Sequence, residues 1–289
     1  MFFCADYYLH YRLPQGFNTE GYRGALLDDK EENEYRIACF GGSTTYGYLL
    51  AKNESYPFLL EQELQKKADK KYSVANLGAN GQGIYGVSKD VDYYDYLNYD
   101  AAIIYDGYND RNPVDFNLLD FRGSDFIFHL FKYKTITFFY LKDKYTLWNT
   151  PENEVSKPVF DKRSASSVKI KNTLSEYFSK NDSLAEAMFL NNKKPYEEYL
   201  KCLEKTLTNL ISKNIKTYYV CQPNSYNSTQ QKLVRELINK KFTTKIRYIN
   251  LSDAFENMDE YSFDGMHLTL KGNLRLAKIM NDSIQQYLQ

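Results

Sequence analysis

Short apolar runs alternate along this chain with longer stretches whose apolar positions recur every three or four residues. The runs Tyr35–Phe40, Tyr72–Leu77, Ala101–Tyr105, Thr217–Cys221 and Ile246–Leu251 are rich in β-branched and aromatic side chains and read as strands. Between and after them, helical spacing covers Tyr56–Lys70, Tyr85–Leu97, Tyr196–Ser212, Thr229–Lys240 and Leu270–Tyr287; in the first, Phe58, Leu59, Leu64 and Ala68 carry the apolar pattern. Strands and helices alternating at this spacing predict right-handed crossovers and an α/β fold, with about five parallel strands covered on both faces. In such sheets ligands gather beyond the carboxyl ends of the strands, where the strand order reverses. Ser43, Gly78, Asn109 and Asp264 all follow predicted strands at that edge.

Residues 111 to 195 break the alternation and are too long for an unstructured loop inside a domain. From Phe126 to Trp148 the segment is aromatic and reads as helical; from Thr150 to about Ser183 it is rich in Ser, Lys and Asn. The expectation is an insertion after the third strand that packs at the sheet edge. Because it leaves directly from Gly107-Tyr108-Asn109-Asp110, it would also wall the site. Lys132, Lys134, Lys142 and Lys144 interrupt its apolar run and argue against a membrane-surface role. The division expected is an N-terminal extension over 1–34 and one domain over 35–289.

Charge narrows the field of partners. Lysine plus arginine equals aspartate plus glutamate at 37 each, so no net field favours nucleic acid or an anionic membrane. The 28 tyrosines and 18 phenylalanines are spread along the whole chain, which biased nucleotide composition explains more simply than a sugar-stacking groove. Cys4, Cys39, Cys202 and Cys221 have no close spacing and read as free thiols. With three histidines and no zinc-ligand pattern, a metal site has little to draw on. The start, Met1-Phe2-Phe3-Cys4-Ala5, soon meets Asp6, Tyr7 and Tyr8, and lacks the basic start and long apolar core of a signal peptide. The expectation is a cytoplasmic chain; the alternative is the stub of a longer membrane anchor.

The chemistry concentrates in three places. Ile37-Ala38-Cys39-Phe40-Gly41-Gly42-Ser43-Thr44 runs a strand through a glycine pair into an exposed serine. Asp264-Gly265-Met266-His267 sets a carboxylate three residues before a histidine, just ahead of the last helix. Ile103-Ile104-Tyr105-Asp106-Gly107-Tyr108-Asn109-Asp110 ends a third strand on an amide. A serine hydroxyl needs a base: His267 is the candidate, with Asp264 to fix its tautomer. The backbone N–H groups of Ser43 and Gly78 and the side-chain amide of Asn109 are candidate oxyanion donors. Taken singly, each piece has a plainer account. The glycine-serine turn suits a phosphate, Asp264 can cap a helix, His267 can sit at a core edge, and Asn109 can close a turn. Together, and in this order, they favour acyl transfer. His10 and His129 lack such a setting.

The blocks Gly41-Gly42-Ser43-Thr44, Asn76-Leu77-Gly78, Gly107-Tyr108-Asn109-Asp110 and Asp264-Gly265-Met266-His267 resemble those of the SGNH hydrolase superfamily, the GDSL-type esterases and lipases. The Gly-Gly-Ser-Thr start, together with Asn18-Thr19-Glu20-Gly21-Tyr22-Arg23-Gly24, is similar to bacterial branches of it, where the usual start is Gly-Asp-Ser-Leu. The resemblance implies a flavodoxin-like three-layer α/β/α fold, and a triad of Ser43, Asp264 and His267 with Ser43, Gly78 and Asn109 around the oxyanion. It implies chemistry on ester-linked acyl groups without metal or cofactor. The reading is a serine esterase, with a small acyl such as acetyl on a carbohydrate as substrate. An O-acyltransferase on a cell-surface saccharide and a non-catalytic carbohydrate-binding or assembly module are the alternatives. Arg23 is expected to be a structural clamp rather than a substrate ligand.

Overall fold

The computed structural model describes residues 4–8, 18–66, 70–107, 109–111, 130, 133, 137, 194–223, 228–252, 254–255, 258–261 and 267–288. Five strands form one sheet: β1 (Glu34–Gly41), β2 (Lys71–Gly78), β3 (Ala101–Tyr105), β4 (Lys216–Val220) and β5 (Ile246–Ile249). All neighbouring pairs are parallel, in the order β2-β1-β3-β4-β5. This is the flavodoxin-like order, and its reversal falls between β1 and β3. Among the described residues, the helices around the sheet are α1 (Ser43–Tyr46), α2 (Tyr56–Gln65), α3 (Ile84–Tyr93), α4 (Lys194–Ser212), α5 (Ser228–Lys241) and α6 (Leu270–Leu288).

The two faces of the sheet follow the period of two along each strand. In β1 and β3, Ala38, Phe40, Ala102 and Ile104 point into one core with Val87, Val91, Leu203, Leu207 and Val234 of α3, α4 and α5. Ile37, Cys39, Ala101 and Ile103 point into the other, with Leu60 and Leu64 of α2 and Leu276, Met280 and Ile284 of α6. Fully burying one such leucine or isoleucine contributes about 1.5–3 kcal/mol, so each helix is fixed mainly through its apolar stripe. The expected α/β fold, with five parallel strands between two helical layers, is the fold observed.

Element ends differ where sheet register overrides local pattern. α2 stops at Gln65 instead of continuing to Lys70, because β2 starts at Lys71 in register with Glu34 and the chain must turn back first. α3 stops at Tyr93; Asp95–Leu97 tighten into a 3₁₀ turn and Asn98 reverses the chain at φ 49° before β3. β5 ends at Ile249, two residues before its expected limit, because the Leu251 N–H is donated to Cys221 Sγ and no longer to a strand carbonyl.

The four cysteines are free: Cys39 and Cys221 are buried, Cys202 is half-buried and Cys4 is exposed. Burial pushes the Cys39 thiol well up, which disfavours its thiolate. Asp6, near the start, accepts hydrogen bonds from the Tyr133 hydroxyl (2.6 Å) and the Thr137 N–H (2.7 Å). Apart from a few such residues, the insertion expected over 111–195 lies outside the described residues. No described helix is long and apolar enough to cross a membrane.

Candidate active site

Ser43 is the first residue of α1, immediately beyond β1. As the head of a helical turn, its N–H is among those without an intrahelical acceptor. His267 comes from the opposite end of the sequence and lies three residues before α6. Leu268 pairs with Tyr261 in an antiparallel bridge, and Thr269 N–H donates to Glu260 O at 2.9 Å, which pins the stretch holding His267. The two side chains meet: His267 Nε2 is 2.7 Å from Ser43 Oγ. The imidazole is 5% exposed, so bulk water does not compete freely for its ring nitrogens. Tyr48 packs on it with ring centroids 4.7 Å apart, yet stays 39% exposed at the mouth of the site.

Asn109 opens the turn after β3, across the switch point from Ser43. A Cβ at Gly42 would lie 2.6 Å from Asn109 Nδ2, which places the amide directly beside the residue preceding Ser43. One amide hydrogen is donated to Gln82 O at 2.8 Å, fixing the carboxamide and leaving its second hydrogen for another acceptor. Next to it, Asp110 Oδ1 accepts the Ile84 N–H at 2.8 Å. Gly83, the N-cap of α3, has no side chain to perform that service, so a carboxylate from another loop caps the helix. The loops after β2 and β3 are therefore stitched together beside Ser43.

Gly78 ends β2 beside α1. Its N–H is donated to Asn76 Oδ1 at 3.1 Å, an acceptor two residues back on the same strand. What the site needs from Gly78 is the missing side chain: a Cβ there would lie 2.7 Å from the Thr45 carbonyl carbon. That glycine lets α1 rest directly on β2. Asp264, the expected third member of the triad, lies outside the described residues, as does Tyr108.

A second set of residues holds α1 from behind. Arg23, 3% exposed, donates to the carbonyls of Tyr46, of Gly47 (2.9 Å) and of Leu50 (2.6 Å). Its guanidinium also lies over the Tyr46 ring, 4.3 Å from the centroid. Arg23 N–H in turn donates to Asn76 O at 3.0 Å, tying this arm to β2. The clamp role expected for Arg23 is the one its contacts describe. Deeper still, Thr45 Oγ1 meets the Tyr56 hydroxyl at 3.2 Å in a fully buried pair. Neither Tyr56 nor Tyr48 stands out in the sequence, since Tyr48 packs on His267 and the Tyr56 N–H bonds Asn273, both far along the chain. Among the described residues no group of three or more His, Cys, Asp or Glu side chains could hold a metal ion.

No protein-family model matches the sequence, and no curated protein matches it. Solved structures do. TesA, at 11% identity, is matched over 87% of this chain and 98% of its own, with a TM-score of 0.51. The psychrotrophic esterase EstA from Pseudoalteromonas sp. is matched at 14% identity over 88% and 98%, with a TM-score of 0.48. A GDSL-like lipase from Bacteroides thetaiotaomicron is matched at 12% identity over 90% and 93%, with a TM-score of 0.45. The structural neighbours thus include GDSL-type esterases and lipases at low identity. The likeness is one of fold, carried by the match to TesA, and the chemistry has to be argued from the site.

Proposed function

We propose that this chain is a serine esterase of the SGNH type, hydrolysing an ester-linked acyl group through an acyl-enzyme on Ser43. The observation that carries the reading is the 2.7 Å contact between Ser43 Oγ and His267 Nε2, made across the whole length of the sequence at the sheet's switch point. In this reading Nε2 takes the hydroxyl proton as Oγ attacks the acyl carbonyl. The oxyanion is met by the Ser43 N–H and by the second amide hydrogen of Asn109. Collapse expels the alcohol, which takes the proton back from His267; water then repeats the sequence and frees the acid. Asp264 is proposed as the carboxylate that orients the imidazole. Gly78 serves by its lack of a side chain, since Asn76 already holds its N–H.

The alcohol oxygen has to lie within reach of Nε2 to be protonated, and Tyr48 borders that space with a partly open aromatic face. An aromatic face suits the carbon–hydrogen face of a sugar ring, which supports an acylated carbohydrate, with acetyl as the small acyl group. The test is steady-state hydrolysis of p-nitrophenyl acetate and of an acetylated methyl pyranoside. The native chain is expected to turn over both, and Ser43→Ala and His267→Ala neither above background. Turnover that survives Ser43→Ala removes the reading.

A further inference from the structure

Ser43 and His267 stand 224 residues apart in sequence, one at the head of α1 and the other just ahead of α6. One carboxamide spans the gap behind them. Asn273, in the first turn of α6 and 2% exposed, accepts the Tyr56 N–H on Oδ1 at 3.0 Å. Its Nδ2 donates to Leu268 O at 3.1 Å and to Thr269 O at 3.0 Å, the two carbonyls following His267. Tyr56 in turn sets its hydroxyl 3.2 Å from Thr45 Oγ1, two residues beyond Ser43 in α1. One side of Asn273 therefore holds the stretch carrying the histidine, and the other holds the tyrosine behind the serine.

We propose that Asn273 is a positioning residue that sets the distance between Ser43 and His267. Its carboxamide braces the Leu268–Thr269 backbone against Tyr56 and, through Tyr56, against α1. Both amide hydrogens and one lone pair of the carbonyl oxygen are engaged, so three of the four bonds the carboxamide can make fix the brace. A reacting pair tolerates displacement of only about 0.5 Å, and misplacement near 1 Å costs on the order of a hundredfold in rate. The role rests on the reading of Ser43 and His267 as nucleophile and base, but its geometry can be tested apart from turnover.

Asn273→Asp separates the two arms. The oxygen facing Tyr56 N–H is kept, while the donor facing Leu268 O and Thr269 O becomes an acceptor and repels them. With three histidines in the chain, the His267 imidazole nitrogens are assigned in ¹⁵N spectra by their absence in His267→Ala. In the native chain they should show the bond to Ser43 that Ser43→Ala removes. In folded Asn273→Asp they are expected to match Ser43→Ala, while kcat on p-nitrophenyl acetate falls tenfold or more and KM stays within twofold. Asn273→Ala, which introduces no repelling oxygen, carries the same test if the aspartate variant does not fold. A native imidazole spectrum in whichever variant folds overturns the inference. If the native chain hydrolyses no ester but the imidazole bond is still lost in the variant, Asn273 keeps its role and only the enzymatic reading falls.

Discussion

Replacing Arg23 separates a clamp from a substrate ligand. The guanidinium serves three carbonyls, those of Tyr46, Gly47 and Leu50, from a nearly fully buried position. Arg23→Ala leaves Tyr46 O with the Asn76 amide at 3.3 Å, but strips Gly47 O and Leu50 O of this donor. Hydrogen bonds from a charged donor are worth about 1.5–3 kcal/mol each, so the two lost bonds amount to about 3–6 kcal/mol, and the lost packing on Tyr46 adds to the loss. For a chain of this size about 2–4 °C is lost per kcal/mol, so Tm should fall by on the order of 10 °C. Arg23→Lys should lose about half as much, since one ammonium cannot reach three carbonyls and also lie flat on a ring. The assay is a thermal melt alongside steady-state hydrolysis of p-nitrophenyl acetate. Because α1 carries Ser43, kcat should fall with Tm while KM changes little. A Tm within 2 °C of native, with KM raised and kcat kept, would refute the clamp and make Arg23 a substrate ligand.

Three other outcomes follow from the same contacts. Asn109→Ala should lower kcat about a hundredfold in a chain that still folds, as expected on losing one oxyanion donor; a loss under threefold removes Asn109 from that role. Burial would push the Glu34 carboxyl up, but the Arg36 guanidinium at 2.8 Å and the Glu31 and Ser73 bonds outweigh it and bring it down to about 2. The stability it supplies is therefore full above the ordinary glutamate value and lost as pH falls toward 2. Urea melts should show native and Glu34→Gln differing most near pH 7 and converging in acid, and a constant gap contradicts the pairing. Burial drives the Asp106 carboxyl above the usual carboxylate range, against the lowering effect of the Tyr199 hydroxyl at 3.1 Å. Folding then favours its protonated form, a contribution that fades as pH rises past that range. Asp106→Asn should gain stability relative to native between pH 5 and pH 8, and no pH-dependent gain contradicts the assignment.

The sheet was legible in the sequence because each strand is a short apolar run between turn residues, and the helices because their stripes are regular. Their ends were not, since Lys71 in register with Glu34 stops α2 and Cys221 Sγ draws Leu251 out of β5. Ser43, His267 and Asn109 stood out through the glycine pair and the strand exits around them, and the fold brings all three to the switch point. Asp110 and Asn273 act through bonds to backbone N–H groups far away in the chain, at Ile84 and Tyr56. The Tyr56–Asn273 bond spans 217 residues, and no local pattern encodes such a partner.

Labelling with a fluorophosphonate followed by peptide mass spectrometry tests the activation of Ser43 by His267. One adduct is expected, on the peptide carrying Ser43, absent in Ser43→Ala and in His267→Ala while both variants melt as folded proteins. A folded native chain that takes no adduct, or an adduct that persists in Ser43→Ala, contradicts it.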